Sequence, residues 1–172
     1  METAVVSLIC IALIVFGGMT MSQGFLTSVD TTSTSLEEIS NRSEDIMRTE
    51  QAPTQATTAI GGLYLDVRLT NTGQTKLASF SKWDFIVQYY DDFGNYYVKW
   101  LPYTTGALGD NEWQETGIFL NGLPEAFEPN ILNPGEEIRL RAQLNPAVGL
   151  DTTNLVTIST PNGIPVSISL TR

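Results

Sequence analysis

Positions 3–29 read TAVVSLICIALIVFGGMTMSQGFLTSV, a predominantly apolar run without a charged residue. A helix needs about 20 mostly apolar residues to cross a hydrocarbon core, so this run is long enough to span a bilayer. A cleaved secretory signal shows a Lys/Arg region, a shorter apolar run and a small-x-small cleavage site, and the segment has none of these. It is therefore expected to be retained.

The helical pattern continues past the apolar run. Phe25, Val29, Thr32, Leu36, Ile39, Ser43 and Ile46 recur at alternating steps of four and three, the spacing of a helix-packing stripe. Asp30, Glu37, Glu38, Arg42, Glu44, Asp45 and Arg48 lie between them and solvate the opposite side. One continuous helix is predicted from about position 3 to position 48, on the order of 70 Å long at about 1.5 Å per residue. Gly17 and Gly18 fall inside it. A glycine in a helix costs about 1 kcal/mol relative to alanine, but it also lets a neighbouring helix approach closely.

Positions 49–62, TEQAPTQATTAIGG, hold a proline, a Thr/Ala cluster and a closing Gly-Gly pair. They read as a breaker and hinge between two parts. Beyond them the period changes to two. Leu63, Leu65, Val67 and Leu69 alternate with Tyr64, Asp66, Arg68 and Thr70; Phe85, Val87 and Tyr89 follow the same rule, and Asp91 to Asn95 reads as a hairpin connection into 96–101. Positions 113–120 form a further candidate strand. Ile138, Leu140, Ala142 and Leu144 alternate with Glu137, Arg139, Arg141 and Gln143, and Val156 and Ile158 lead through Pro161-Asn162-Gly163 to Ile164, Val166, Ile168 and Leu170. Short strands with one polar side, separated by turn signals, predict an antiparallel β-sandwich of about seven or eight strands. The fold class expected is α+β: a long N-terminal hydrophobic helix (1–48), a linker (49–62) and an immunoglobulin-like head (63–172).

This plan resembles archaeal type IV pilin-like proteins, above all archaellins, the subunits of the archaeal swimming filament. The segments that carry the resemblance are METAVVSLICIALIVFGG, SLEEISNRSEDI, LYLDVRLTNTG and ILNPGEEIRLRAQL. The chain is also similar to archaellum accessory proteins that anchor the motor in the envelope, with a membrane helix, a stalk and a β-sandwich. The first resemblance implies a structural subunit of a cell-surface filament, for motility or as an adhesive type IV-like pilin, inserted in the cytoplasmic membrane before assembly. It also implies assembly machinery and identical subunits as partners. The helix would then polymerise through Val5, Val6, Leu8, Ile9, Ile11, Leu13, Ile14, Val15 and Phe16 in the run, and through Phe25, Val29, Leu36, Ile39 and Ile46 in the stripe. An apolar helix is as stable among copies of itself as in lipid. Roughly 18 apolar side chains, each contributing about 1.5–3 kcal/mol when removed from water, give a gross term of tens of kcal/mol per subunit. That exceeds the association entropy, which costs about 4–15 kcal/mol.

Composition narrows the chemistry. With 19 acidic and 9 basic residues the net charge is −10, which repels nucleic acid and anionic lipid. There is no histidine, the usual general base and commonest metal ligand. Cys10 is the only cysteine, so disulfides do not brace the fold, and Ile9 stands before it where an acylation site wants a small residue. Asp91, Asp92, Asn95, Asp110 and Asn111 are oxygen donors, but Asp and Asn are also ordinary turn formers, and the turn reading is preferred. Asn41-Arg42-Ser43 is a glycosylation sequon on a predicted helix rather than a loop, which makes Asn41 a weak acceptor candidate. Trp83, Trp100, Trp113 and the pairs Tyr89-Tyr90 and Tyr96-Tyr97 could form an adhesive or intersubunit surface, but the core and cross-strand pairs are the preferred place for them. No catalytic set, cofactor site or metal site is expected, and the chain reads as non-enzymatic.

Overall fold

The computed structural model describes residues 2–172; Met1, counted above in the helical segment 1–48, lies outside the described residues. A single α-helix, α1, occupies Glu2–Arg48. Nine strands follow: β1 (Gln51–Ala59), β2 (Tyr64–Asn71), β3 (Asp84–Tyr90), β4 (Tyr96–Leu101), β5 (Glu112–Leu120), β6 (Leu123–Pro124), β7 (Glu137–Gln143), β8 (Thr153–Ser159) and β9 (Pro165–Thr171). By compactness the chain divides into two units, Met1–Ser43 and Glu44–Arg172.

The head is two antiparallel sheets. One has the order β1-β2-β7-β5-β6 and the other the order β4-β3-β8-β9. Because side chains alternate across a strand, each apolar series read from the sequence falls on the inner side of its sheet. Leu65, Val67 and Leu69 meet Ala142, Leu140 and Ile138 in the β2–β7 ladder, while Phe85 and Val87 meet Ile158 and Val156 in the β3–β8 ladder. With Trp83, Trp113, Tyr89, Leu101, Leu132 and Leu144 these residues form one buried core. Each large side chain fully buried contributes about 1.5–3 kcal/mol, so this core dominates the stability of the head.

One reading is corrected. Segment 49–62 is not a flexible linker over most of its length, because Gln51–Ala59 is a strand paired along its length with β2, with a register shift between Pro53 and Gln55. β1 lies at the edge of its sheet, where a proline without an amide hydrogen is tolerated. The Ala/Thr composition masked the strand, since its hydrogen bonds come from a neighbour rather than from its own apolar side chains. The true turn is shorter: Ile60, Gly61 and Gly62 all have positive φ, and the Leu63 amide donates to the Ile60 carbonyl. β5 also departs from simple alternation, because a register shift between Glu115 and Gly117 lets both Trp113 and Ile118 point inward.

Candidate functional site: an exposed apolar helix and the clamp at its base

Nothing within the described residues covers the apolar run of α1. Val5, Val6, Leu8, Ile9, Ile11, Leu13, Ile14, Val15 and Phe16 are all exposed, from 52% at Ile9 to 73% at Ile14. In water such a surface is unfavourable by tens of kcal/mol on the scale of about 25 cal/mol per Å² of apolar area, so the run needs lipid or other protein. The polar side chains of the helix are adapted to either. The Ser7 hydroxyl donates to the Ala4 carbonyl, Thr20 to Gly17, Thr27 to Gln23 and Thr31 to Thr27, all at 2.8–2.9 Å. Each hydroxyl therefore carries its own acceptor into an apolar environment. A Cβ added at Gly17, Gly18 or Gly24 would meet nothing of this chain within 4 Å, so these positions leave open space beside the helix.

Further along, Phe25, Val29, Leu36 and Ile39 are also exposed, whereas Ile46 is half-buried. The stripe therefore ends in the head unit, which begins at Glu44. Asn41 is exposed on the helix, and an i, i+4 ion pair joins Arg48 to Glu44 at 3.0 Å.

The base of the helix is clamped by two turns. The Thr49 hydroxyl, on a buried residue, donates to the Asp45 carbonyl at 2.7 Å and accepts from the Asn162 amide nitrogen at 2.8 Å. From the other side the Gln74 amide donates to the Arg48 carbonyl at 2.8 Å, and the amides of Thr72 and Gly73 donate to the Glu50 carbonyl at 3.1 and 3.0 Å. Carbonyls left over at a helix C-terminus need such donors. The approach is close enough that a Cβ on Gly73 would lie 2.5 Å from both the Arg48 oxygen and the Glu50 nitrogen. Asn71-Thr72-Gly73 and Pro161-Asn162-Gly163 are turn sequences, but nothing in either shows that it reaches the helix end. Local signals report a turn and not what it touches.

The remaining candidates resolve into structural roles. Asp91 is buried, and its carboxylate accepts from the amides of Phe93 and Asn95, the Asn95 side chain and the Tyr97 hydroxyl at 2.8–3.2 Å. Burial pushes this carboxyl up, but the bonds from Asn95, Phe93 and Tyr97 outweigh it and hold it below the ordinary range. Asp92 accepts from the Leu150 amide and pairs with Arg172, while Asp110 accepts from Gln143 and Asn145, whose bonds lower its pKa. These oxygens are thus occupied by protein donors, and no group of three metal-ligating side chains occurs among the described residues. The aromatic set divides: Trp83, Trp113 and Tyr89 are core, whereas Trp100, Tyr96 and Tyr90 are 59%, 52% and 41% exposed.

No protein-family model matches the chain, and no curated protein matches it significantly. Solved structures do. The archaeal flagellum of Methanospirillum hungatei strain JF1 is similar over 96% of this chain and 90% of its own, at 12% identity and a TM-score of 0.62. The archaellum periplasmic stator protein FlaG from Sulfolobus acidocaldarius is similar over 71% of this chain and 99% of its own, at 19% identity and a TM-score of 0.52. The archaellum periplasmic stator protein complex FlaF and FlaG of the same organism is similar over 71% of this chain and 89% of that chain, at 20% identity and a TM-score of 0.53. The class is thereby defined at the level of fold: one long N-terminal helix followed by an antiparallel β-sandwich, as in an archaellum filament. The structural neighbours are archaellum proteins, both filament and stator.

Proposed function

We propose that the chain is the structural subunit of an archaellum-type cell-surface filament, polymerising through α1 while the β-sandwich faces outward. The observation that carries this reading is the helix itself, whose apolar residues are exposed both in the uncharged run and in the stripe from Phe25 to Ile39. An anchor needs only the run; a polymer also needs the stripe. Similarity to the M. hungatei flagellum over 96% of the chain supports the reading, because a match of that extent has to include most of the helix. Before assembly the same run holds the subunit in the cytoplasmic membrane, and assembly machinery moves it into the polymer. A contact repeated by a rotation that does not close generates an open helix of identical subunits. The proposed role is mechanical, motility above all, and involves no enzymatic step or cofactor.

A second reading is a membrane-anchored archaellum accessory protein. It is favoured by the similarity to the stator protein FlaG, which covers 71% of this chain, a share the head alone would fill, at a higher identity than the filament match. Electron microscopy of filaments sheared from cells, combined with N-terminal sequencing of their subunit, separates the two. Filaments built from this chain establish the first reading. Its restriction to the envelope, with filaments made of another protein, establishes the second.

A further inference from the structure

Arg68 on β2 stands directly opposite Arg139 on β7, and Arg141 faces Asp66 in the same ladder. The three arginines lie on the outer side of the five-stranded sheet and wall an open depression rimmed by Gln55 and Thr57 of the edge strand. Like charges placed directly across a ladder oppose folding, so the pair Arg68–Arg139 is a local cost that the head offsets only on the Arg139 side. Two of the arginines are held in place. Arg141 makes a two-pronged bond to Asp66 at 2.6 and 3.0 Å; Arg139 donates to Glu137 at 2.9 Å, with its guanidinium 3.7 Å from the centre of the Phe119 ring. Arg68 has neither an ion pair nor a side-chain hydrogen bond among the described residues. Three of the nine basic residues of a chain with net charge −10 are thus gathered on one sheet, and Arg68 is the one of them without a counter-charge from Asp66 or Glu137.

The complement is present in the same chain. Asp30, Glu37 and Glu38 are exposed on α1 and form no ion pair among the described residues. Asp30 and Glu37 are about two helical turns apart, on the side of α1 away from Leu36 and Ile39. A polymer that buries the stripe leaves this acidic side facing away from the buried contact.

We propose that the arginine face of one copy's head docks on the acidic side of a second copy's helix, with Arg68, unpaired in its own head, receiving the carboxylates of Glu37 and Glu38 and with Asp30 alongside. This rests on the filament reading above. Charge complementarity of this kind sets register and partner more than raw affinity, so the contact fixes which subunits in the helical lattice are neighbours.

The test uses the full chain in cells. Arg68→Glu and the double variant Glu37→Arg/Glu38→Arg are each expected to lower filament yield about tenfold, and the triple combination is expected to restore it by re-pairing the charges. Arg68 has no partner in its own head, so its replacement leaves the fold intact, which the melting temperature checks. Wild-type yield from Arg68→Glu, or a loss that the combination does not repair, overturns the proposal. If the unaltered chain forms no filaments, the filament reading has failed, and the contact is then read in the cell envelope. Arg68→Cys and Glu37→Cys chains, both also carrying Cys10→Ser, are co-expressed and treated with a short bismaleimide. A mixed cross-linked dimer absent from either variant alone supports the docking, and its absence overturns it.

Discussion

The side-chain amide of Asn162 donates to the hydroxyl of Thr49 across 2.8 Å, joining the turn between the last two strands to the residue that follows the helix. This bond, with those from the 72–74 turn, ties residues 48–50 into the head.

Replacing Gly73 by alanine forces backbone apart at the clamp, where the added carbon lies 2.5 Å from Arg48 and Glu50 atoms. Overpacking of this kind costs about 1–3 kcal/mol. Thr49→Val removes a buried hydroxyl and leaves Asn162 without its acceptor, at a similar cost of about 1–3 kcal/mol. Thermal unfolding of the head should show both losses. Unchanged melting in both variants would mean that the clamp contributes nothing to stability.

The folding unit begins at Glu44, so a fragment 44–172 should fold as a stable β-rich domain. A fragment starting at Gly61 lacks β1 and leaves the edge of β2 unpaired. Open sheet edges associate. The shorter fragment is expected to melt at a lower temperature and to aggregate, as circular dichroism and light scattering would reveal; equal behaviour of the two fragments would restore the linker reading.

Leu13→Lys places a charge in the uncharged run. A lysine at the centre of a membrane helix costs about 2.5–3.5 kcal/mol or more, and burial of an unpaired charge in a protein core is also unfavourable. Filaments should disappear. By contrast Leu36→Ser with Ile39→Ser leaves the run intact, so membrane insertion persists while filaments become shorter and dissolve at lower temperature. Filaments of ordinary length and heat resistance from the serine variant would favour the anchor reading.

Titration has a defined sign at both ends of the pH scale. Asp91, Asp110 and Glu125 are held below their ordinary values, Asp91 against burial by its Asn95, Phe93 and Tyr97 bonds, Asp110 by Asn145 and Gln143, and Glu125 by the amides of Glu128 and Phe127. Their contribution is complete above the usual carboxylate range and is lost as pH falls through the lower folded values, so melting temperatures should drop only below about pH 4. Burial raises Tyr89 and Tyr103 from 10.0 to about 12, with Glu115 adding to the rise at Tyr103. Stability from these two phenols is full below 10.0 and is lost as pH rises through about 12. Phenolate absorbance followed with melting tests this: titration of all six tyrosines together near 10.0 would contradict it.

By itself the sequence determined the helix, because an uncharged run followed by a four-three stripe has no other regular solution. It also determined which side of most strands faces inward, because a period of two leaves no choice once one side is apolar. Val67, Phe85, Leu140 and Ile158 were legible as core on that ground. Strand β1 was not, since its Thr/Ala sequence becomes a strand only when the edge of β2 offers hydrogen bonds. Nor was the shift in β5 that turns both Trp113 and Ile118 inward. The meeting of Thr49 with Asn162, and of Arg68 with Arg139, depends on sheet order and register between segments far apart in the chain. Local periodicity carries no information about which distant strand or turn arrives beside a residue. That is settled by the packing of the two sheets, and it is there that the Thr49–Asn162 tie and the arginine face arise.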